Sequence, residues 1–155
     1  MRLHDWKIRY DTDHDFWESS LATDWNAAII EEFRANAGQV GGNFKGAPLL
    51  LLHTTGAKSG EERVHPMMYL DGGEQRYVFA SYAGRPENPA WFHNLKANPD
   101  VAVEVGTETY KAIATEVVGE ERNRIYAEQA KRYPGFADYE RKTARVIPVV
   151  ALTRV

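Results

Sequence analysis

Apolar and polar positions change their spacing several times along the chain, and those changes predict its elements. From Leu49 four leucines run unbroken into His53, Thr54 and Thr55, a buried strand by its apolar content and β-branched end. The pattern breaks at Gly56 and resumes as an extended stretch from Val64 to Leu70. Asp71-Gly72-Gly73 is a hairpin signal ahead of a third strand, Arg76 to Ser81. Val101, Val103 and Val105 alternate with Ala102 and Glu104, and Gly106-Thr107-Glu108 turns the chain into a strand from Thr109 to Val118. Val146 to Leu152 is the last strand.

Helical spacing places Ala28, Ile29, Phe33 and Ala37 on one face of a helix from Trp25 to about Asn36, capped by Thr23 or Asp24. Asn88 as N-cap and Pro89 at the first helical position predict a compact helix in NPAWFHNLKAN, with Trp91 and Leu95 inward. Asn94 and Lys96 then face solvent. Gly119 to Tyr133 carries Ile125, Tyr126, Gln129, Ala130 and Tyr133 at helical spacing behind an acidic first turn. A shorter helix follows Pro134-Gly135, from Phe136 to Lys142. Six short strands joined mostly as hairpins predict a mainly β, α+β fold: an antiparallel sheet closing into a small barrel, with helices packed outside. Regular strand–helix alternation and GxGxxG are both missing, which argues against a doubly wound nucleotide-binding fold.

Composition changes this picture little. The 155 residues are 43% hydrophobic and 26% charged, enough for one folded domain with its own core. That domain is predicted over residues 25–155, with residues 1–24 as an amino-terminal arm. A net charge of −3 gives no reason to expect nucleic acid as a partner. Charge is uneven, however: residues 1–32 hold eight acidic and three basic side chains, and residues 131–155 hold six basic and two acidic. With no cysteine, disulfides, thiolate catalysis and Cys-based metal sites are excluded. No apolar signal region or membrane-length stretch occurs, so the expected location is the cytoplasm, with peripheral contact at the inner face of the cell membrane left open.

Candidate chemistry concentrates after Thr55. Lys58, Ser59, Gly60 and Arg63 follow Gly56 between two strands, and such a turn can surround an anion with backbone N–H groups, a hydroxyl and two cations. An ordinary hairpin turn with solvated charges is the alternative. His4, His14, His53, His65 and His93 show no metal-ligand spacing and no acidic cluster joins them, so no metal is expected. Ser59 and Ser81 are the plausible hydroxyls, and neither lies in a GxSxG elbow.

Three blocks, HTTGAKSGEERVHPMMYL, SYAGRPENPAWFHNLKANPDVAVEVG and YPGFADYERKTARVIPVVAL, closely resemble the deazaflavin-dependent nitroreductase and quinone reductase family of actinobacteria, which uses coenzyme F420. The resemblance runs from about Trp25 to the C-terminus. It implies a split β-barrel with the deazaflavin in a groove beside it, and hydride transfer from the reduced cofactor's C5 to quinones, nitroaromatics or activated enones. It also implies that Lys58, Ser59 and Arg63 hold the phosphate and acidic tail and that Gly60 permits close backbone approach. Thr55, Gly56, His65, Pro66, Ala80, Ser81, Ala90, Trp91 and Asn94 would complete the cofactor site. Tyr133, Phe136 and Tyr139 would line the substrate side, with Ser81, Tyr133 and Tyr139 as hydrogen-bond donors to the reacting acceptor. Three departures stand out: Ala57 and Tyr82 where relatives carry cations, and Phe136 where some carry Tyr. Arg85 lies close enough in sequence to replace one cation. FMN is the alternative cofactor, and a non-catalytic F420 or quinone carrier the alternative role. The expected partner is a small-molecule electron acceptor, and the expected assembly a monomer or homodimer.

Overall fold

The computed structural model describes residues 16–155. Helix α1 (Phe16–Ala35) leads through a glycine-rich connection into strand β1 (Leu49–Thr55), followed by β2 (Glu62–Met68), β3 (Leu70–Asp71), β4 (Gln75–Phe79) and helix α2 (Ala90–Ala97). Strands β5 (Asp100–Val105) and β6 (Glu108–Val117) form a hairpin, helices α3 (Gly119–Arg132) and α4 (Gly135–Lys142) come next, and β7 (Val149–Arg154) is last. Every pairing is antiparallel, in the order β2-β1-β5-β6-β7-β4-β3.

Only Tyr69 separates β2 from β3, so one bent segment pairs with β1 through its first part and with β4 through its second. The sheet thereby curls into a split barrel. The strand expected from Val64 to Leu70 supplies both pieces, which is why seven pairing strands appear where six were expected. At the bend the Tyr69 N–H donates to the Pro48 carbonyl at 3.2 Å instead of to a strand neighbour.

The leucine run is explained by what lies on either side of it. Leu50 and Leu52 point into the barrel with Val78, Val103, Val150 and Leu152, and α2 plugs that interior with Trp91, Phe92 and Leu95. Leu49 and Leu51 point outward, under Phe33 and Val40 and against the half-buried Ile29 and Ile30 of α1. Strand β7 is likewise covered on both faces: Val149 and Ala151 meet Ile125, Tyr126 and Phe136 of α3 and α4. A strand buried on both faces loses its polar alternation, and each fully buried leucine stabilises the fold by roughly 1.5–3 kcal/mol.

Several boundaries differ from the sequence expectation. Helix α1 starts at Phe16, so Thr23 and Asp24 lie inside it and do not cap it. Phe33 is buried as expected, but Ala28 is exposed, and Ala37 lies beyond the helix with φ 54°. In α2, Pro89 takes the cap position and Ala90 opens the helix, one residue later than the spacing suggested. Strand β7 begins at Val149 because Val146 is exposed and Pro148 has no N–H to give a ladder. Expectations for residues 1–15 of the arm lie outside the described residues. Among the described residues, no helix is long and apolar enough to cross a membrane.

Candidate active site

The β1–β2 hairpin closes at Thr55 opposite Glu62 and projects the loop between them beyond the barrel. Inside that loop Gly56 N–H donates to the Glu61 carbonyl at 2.8 Å, and Gly60 N–H, at φ 73°, donates to the Gly56 carbonyl at 2.9 Å. The Ser59 hydroxyl oxygen accepts from Glu61 N–H at 3.1 Å and keeps its own hydrogen to donate. A Cβ on Gly56 would stand 2.5 Å from Ser59 Oγ, so a larger residue there would force the Ser59 hydroxyl out of its place in the turn. Among the described residues, the N–H groups of Lys58 and Ser59 have no partner in the fold, and the Lys58 and Arg63 side chains are exposed beside them. Arg63 Nη2 also donates to Glu61 Oε2 at 3.3 Å, an exposed pair that an incoming anion can compete with. The two amides, the Ser59 hydroxyl and the two cations together make a cradle able to surround an anion.

Asn94 ties this turn to α2. Its Oδ1 accepts the Ala57 N–H at 3.0 Å and its Nδ2 donates to Thr54 Oγ1 at 3.2 Å. Helical spacing put Asn94 in solvent, but it is 8% exposed, because the turn folds back over that face of the helix.

Beside the turn lies a groove of about 920 Å³. Gly56, Ala57, Lys58, Ser59, Glu62, Arg63, Val64 and His65 form one side; Ala90, His93 and Asn94 of α2, with Tyr82, Glu87 and Asn88, form another; Asn26, Ala27 and Ile30 of α1 close it. Of the residues predicted for cofactor binding, Gly56, Lys58, Ser59, Arg63, His65, Ala90 and Asn94 therefore share one cavity. Thr55, Gly60, Pro66 and Trp91 neighbour them in the chain without lining it, and Ala80 and Ser81 lie just before Tyr82 of the lining. Tyr133, Phe136 and Tyr139 gather elsewhere, packed with Phe79 and Tyr126 on the outer face of β4 and β7. Tyr82, Glu87, Asn88, His93 and the α1 residues were not predicted for the site. The ENP run before α2 was a signal, but Asn88 there read as a helix cap.

His65 Nδ1 is enclosed without a hydrogen-bond partner among the described residues. Burial, reinforced by the Arg63 charge, lowers the pKa of this imidazole from 6.5 to about 4, so at neutral pH it is an uncharged group in the groove. Behind the groove, Arg34 of α1 donates twice to Glu104 of β5, at 3.1 and 2.6 Å. His53 stands between Glu104 at 2.5 Å and Glu62 at 3.0 Å. The Arg34 hydrogen bond holds the Glu104 carboxyl below its ordinary pKa. This cluster fastens α1, and with it the α1 side of the groove, to three strands.

The loop after β4 is built differently. Tyr82, Ala83 and Gly84 have φ of 48°, 54° and 81°, three left-handed residues in succession. Tyr82 and Ala83 carry a Cβ, and each pays roughly 1–2 kcal/mol for that conformation. The Arg85 guanidinium lies 5.0 Å from the centre of the Tyr82 ring and pairs with Glu87 at 2.5 Å.

A cationic hairpin turn, a groove and a barrel of this topology can be compared with known proteins. The sequence model of the F420H(2)-dependent quinone reductases matches residues 25–154. The chain belongs to that family. It is an F420-dependent oxidoreductase, and F420 is its cofactor. An F420H(2)-dependent quinone reductase of Mycobacterium tuberculosis is 39% identical over 129 residues, covering 79% of this chain and 85% of that protein. Among solved structures, the F420H2-dependent reductase FDR-A is 40% identical with a TM-score of 0.63, covering 68% of this chain and 93% of its own. A domain-swapped dimer is 36% identical with a TM-score of 0.65, covering 84% and 98%.

The groove fits such a cofactor. The Lys58 and Ser59 amides, without partners among the described residues, and the two cations suit a phosphate and an acidic tail, and the cavity volume is that of a ligand site.

Proposed function

We propose that this protein transfers hydride from F420H2 to quinones, and that nitroaromatics and activated enones are further acceptors. The anion cradle in the groove lining carries the reading, because it could anchor a long anionic cofactor by its tail and leave the rest of the groove for the ring. When bound, the reduced deazaflavin supplies a hydride from C5. The protein's part is orientation, charge and exclusion of water.

Lys58, Ser59 and Arg63 hold the tail, with Gly56 and Gly60 shaping the turn around it. His65, Ala90 and Asn94 would lie on the ring side, where neutral His65 would add no charge. The acceptor oxygen gains charge and needs a donor. Ser81, Tyr133 and Tyr139, expected for that role from the sequence, lie outside the groove lining, so they would serve it only for an acceptor that extends past Tyr82 toward α4. Burial raises the pKa of Tyr139, so its hydroxyl keeps a proton to donate. Homology to F420H(2)-dependent quinone reductases supports quinones as the acceptor class, and a solved relative that is a domain-swapped dimer supports a homodimer.

Mixing the protein with F420H2 and, separately, menadione, a nitroaromatic and a cyclic enone tests this. Oxidation followed by deazaflavin absorbance is expected with all three, fastest with menadione. No turnover across several quinones, with F420 still bound, would replace the reductase reading with a carrier.

A further inference from the structure

The loop Ser81–Asn88 borders the groove in a conformation that its own residues resist. Three successive left-handed residues, two of them not glycine, persist only where the surroundings over-determine them. Two local hydrogen bonds tighten the turn: Gly84 N–H to the Ser81 carbonyl at 2.8 Å, and Arg85 N–H to the Tyr82 carbonyl at 3.1 Å. Such bonds form equally well in right-handed turns, so they do not choose the hand.

Arg145, in the connection between α4 and β7, reaches both ends of the turn. Its Nη2 donates to the Ser81 carbonyl at 2.9 Å and its Nε to the Arg85 carbonyl at 2.9 Å. Its Nη1 donates to Asn88 Oδ1 at 2.7 Å. Ser81 and Arg85 flank the left-handed residues on either side, so one planar group spans both ends of the turn and reaches on to a residue of the groove wall. A guanidinium holds its donors in a rigid fork, and the separation of the two carbonyls must match that fork. A lysine ammonium is a point with rotatable donors and imposes no such match.

We propose that Arg145 is a positioning residue for the cofactor groove: its guanidinium selects the left-handed form of the Tyr82–Gly84 turn and so fixes where Tyr82, Glu87 and Asn88 meet the ligand. The proposal rests on the reading that this groove binds F420. Burial lowers the Arg145 pKa while Glu87 opposes that effect, consistent with a cation packed behind the wall.

Arg145→Lys and Arg145→Gln test the proposal, first without ligand. Exchange of the Gly84 and Arg85 amides is expected to accelerate about tenfold or more, the scale of one or two lost charge-assisted hydrogen bonds, while the Leu51 and Val150 amides in the sheet keep their rates. With ligand, the Kd for F420 is expected to rise about tenfold in both variants. Adding Ala83→Gly to Arg145→Lys removes one strained Cβ and is expected to recover part of that loss. Native exchange and Kd in both variants would overturn the proposal. So would loss of sheet protection in both, which marks a general stabiliser, or an absence of recovery with Ala83→Gly. Failure of the wild-type protein to bind F420 would instead overturn the reading of the groove, and the ligand-free exchange would still judge the turn.

Discussion

The two turns that border the groove are made in opposite ways. The Gly56–Glu61 turn is largely exposed, takes its left-handed position with Gly60, and presents cations. The Tyr82–Gly84 turn is largely buried, takes left-handed positions with Tyr82 and Ala83, and is held from behind by Arg145 and α4. The first relaxes without a ligand and offers free donors. The second stores strain and depends on distant residues. A site of this kind would grip one end of its ligand with a compliant loop and frame another part with a braced one, and would draw on both for affinity.

Substitutions can break this contrast. The largest effect is expected on the compliant side. Lys58→Ala with Arg63→Ala removes two charge-assisted contacts and should weaken F420 binding by about 3–4 kcal/mol, with little change in melting temperature. A fluorescence titration showing unchanged affinity would refute the cradle. On the braced side, Gly84→Ala should lower stability by about 2–3 kcal/mol, because φ is 81° and the new Cβ would stand 2.9 Å from Lys142 Cβ and 3.0 Å from the Tyr139 carbonyl oxygen. Thermal melts decide it, and a melt equal to wild type would mean that α4 is not pressed on this turn.

His65 gives a pH test. Its imidazole is harder to protonate in the folded chain, at about 4, than in the unfolded chain, at 6.5, so acid favours unfolding. The stability it contributes is present above pH 6.5 and is lost as pH falls toward 4, amounting to about 2 kcal/mol between pH 7 and pH 5. His65→Gln should flatten that part of the stability curve, and an unaltered slope would show that another group carries it. The smallest effect is expected for Asn94→Leu. It leaves the Ala57 N–H and the Thr54 hydroxyl without their partner, costing about 1–2 kcal/mol and loosening the compliant turn. Faster exchange confined to the Ala57 amide would identify Asn94 as that turn's tether.

The same contrast explains what was legible in the sequence. The first turn announces itself, because glycines and cations are local signals and the strands on either side alternate or run apolar by rule. The barrel followed from hairpin signals such as Asp71-Gly72-Gly73, where Asp71 Oδ1 accepts the Gly73 N–H at 2.9 Å. The second turn was not legible, since Tyr82 and Ala83 carry no mark of a left-handed backbone and the brace lies 64 residues away from Ser81. Asn94 was misplaced for a related reason: its partner Thr54 is 40 residues distant, and helical spacing knows nothing of a loop folded over the helix. The aromatic residues Tyr133, Phe136 and Tyr139 were read as a group, and they are one. What spacing could not say is which face of the sheet they cover.

The strand order has a consequence for how the chain assembles. β7 sits between β6 and β4, so the β3–β4 hairpin has no neighbour in the sheet until β7 arrives. Gln75 and Thr153, which pair across that seam and join their side chains at 2.9 Å, are 78 residues apart in the chain. Contacts of that range pay the loop-closure entropy before they return any energy, and they slow folding. The β1–β2 and β5–β6 hairpins can form early and locally, whereas closing the barrel waits for the carboxy-terminal strand. Until then β4 and β6 each expose an unpaired edge, and a β7 from a second copy of the chain would fit that gap as well as its own.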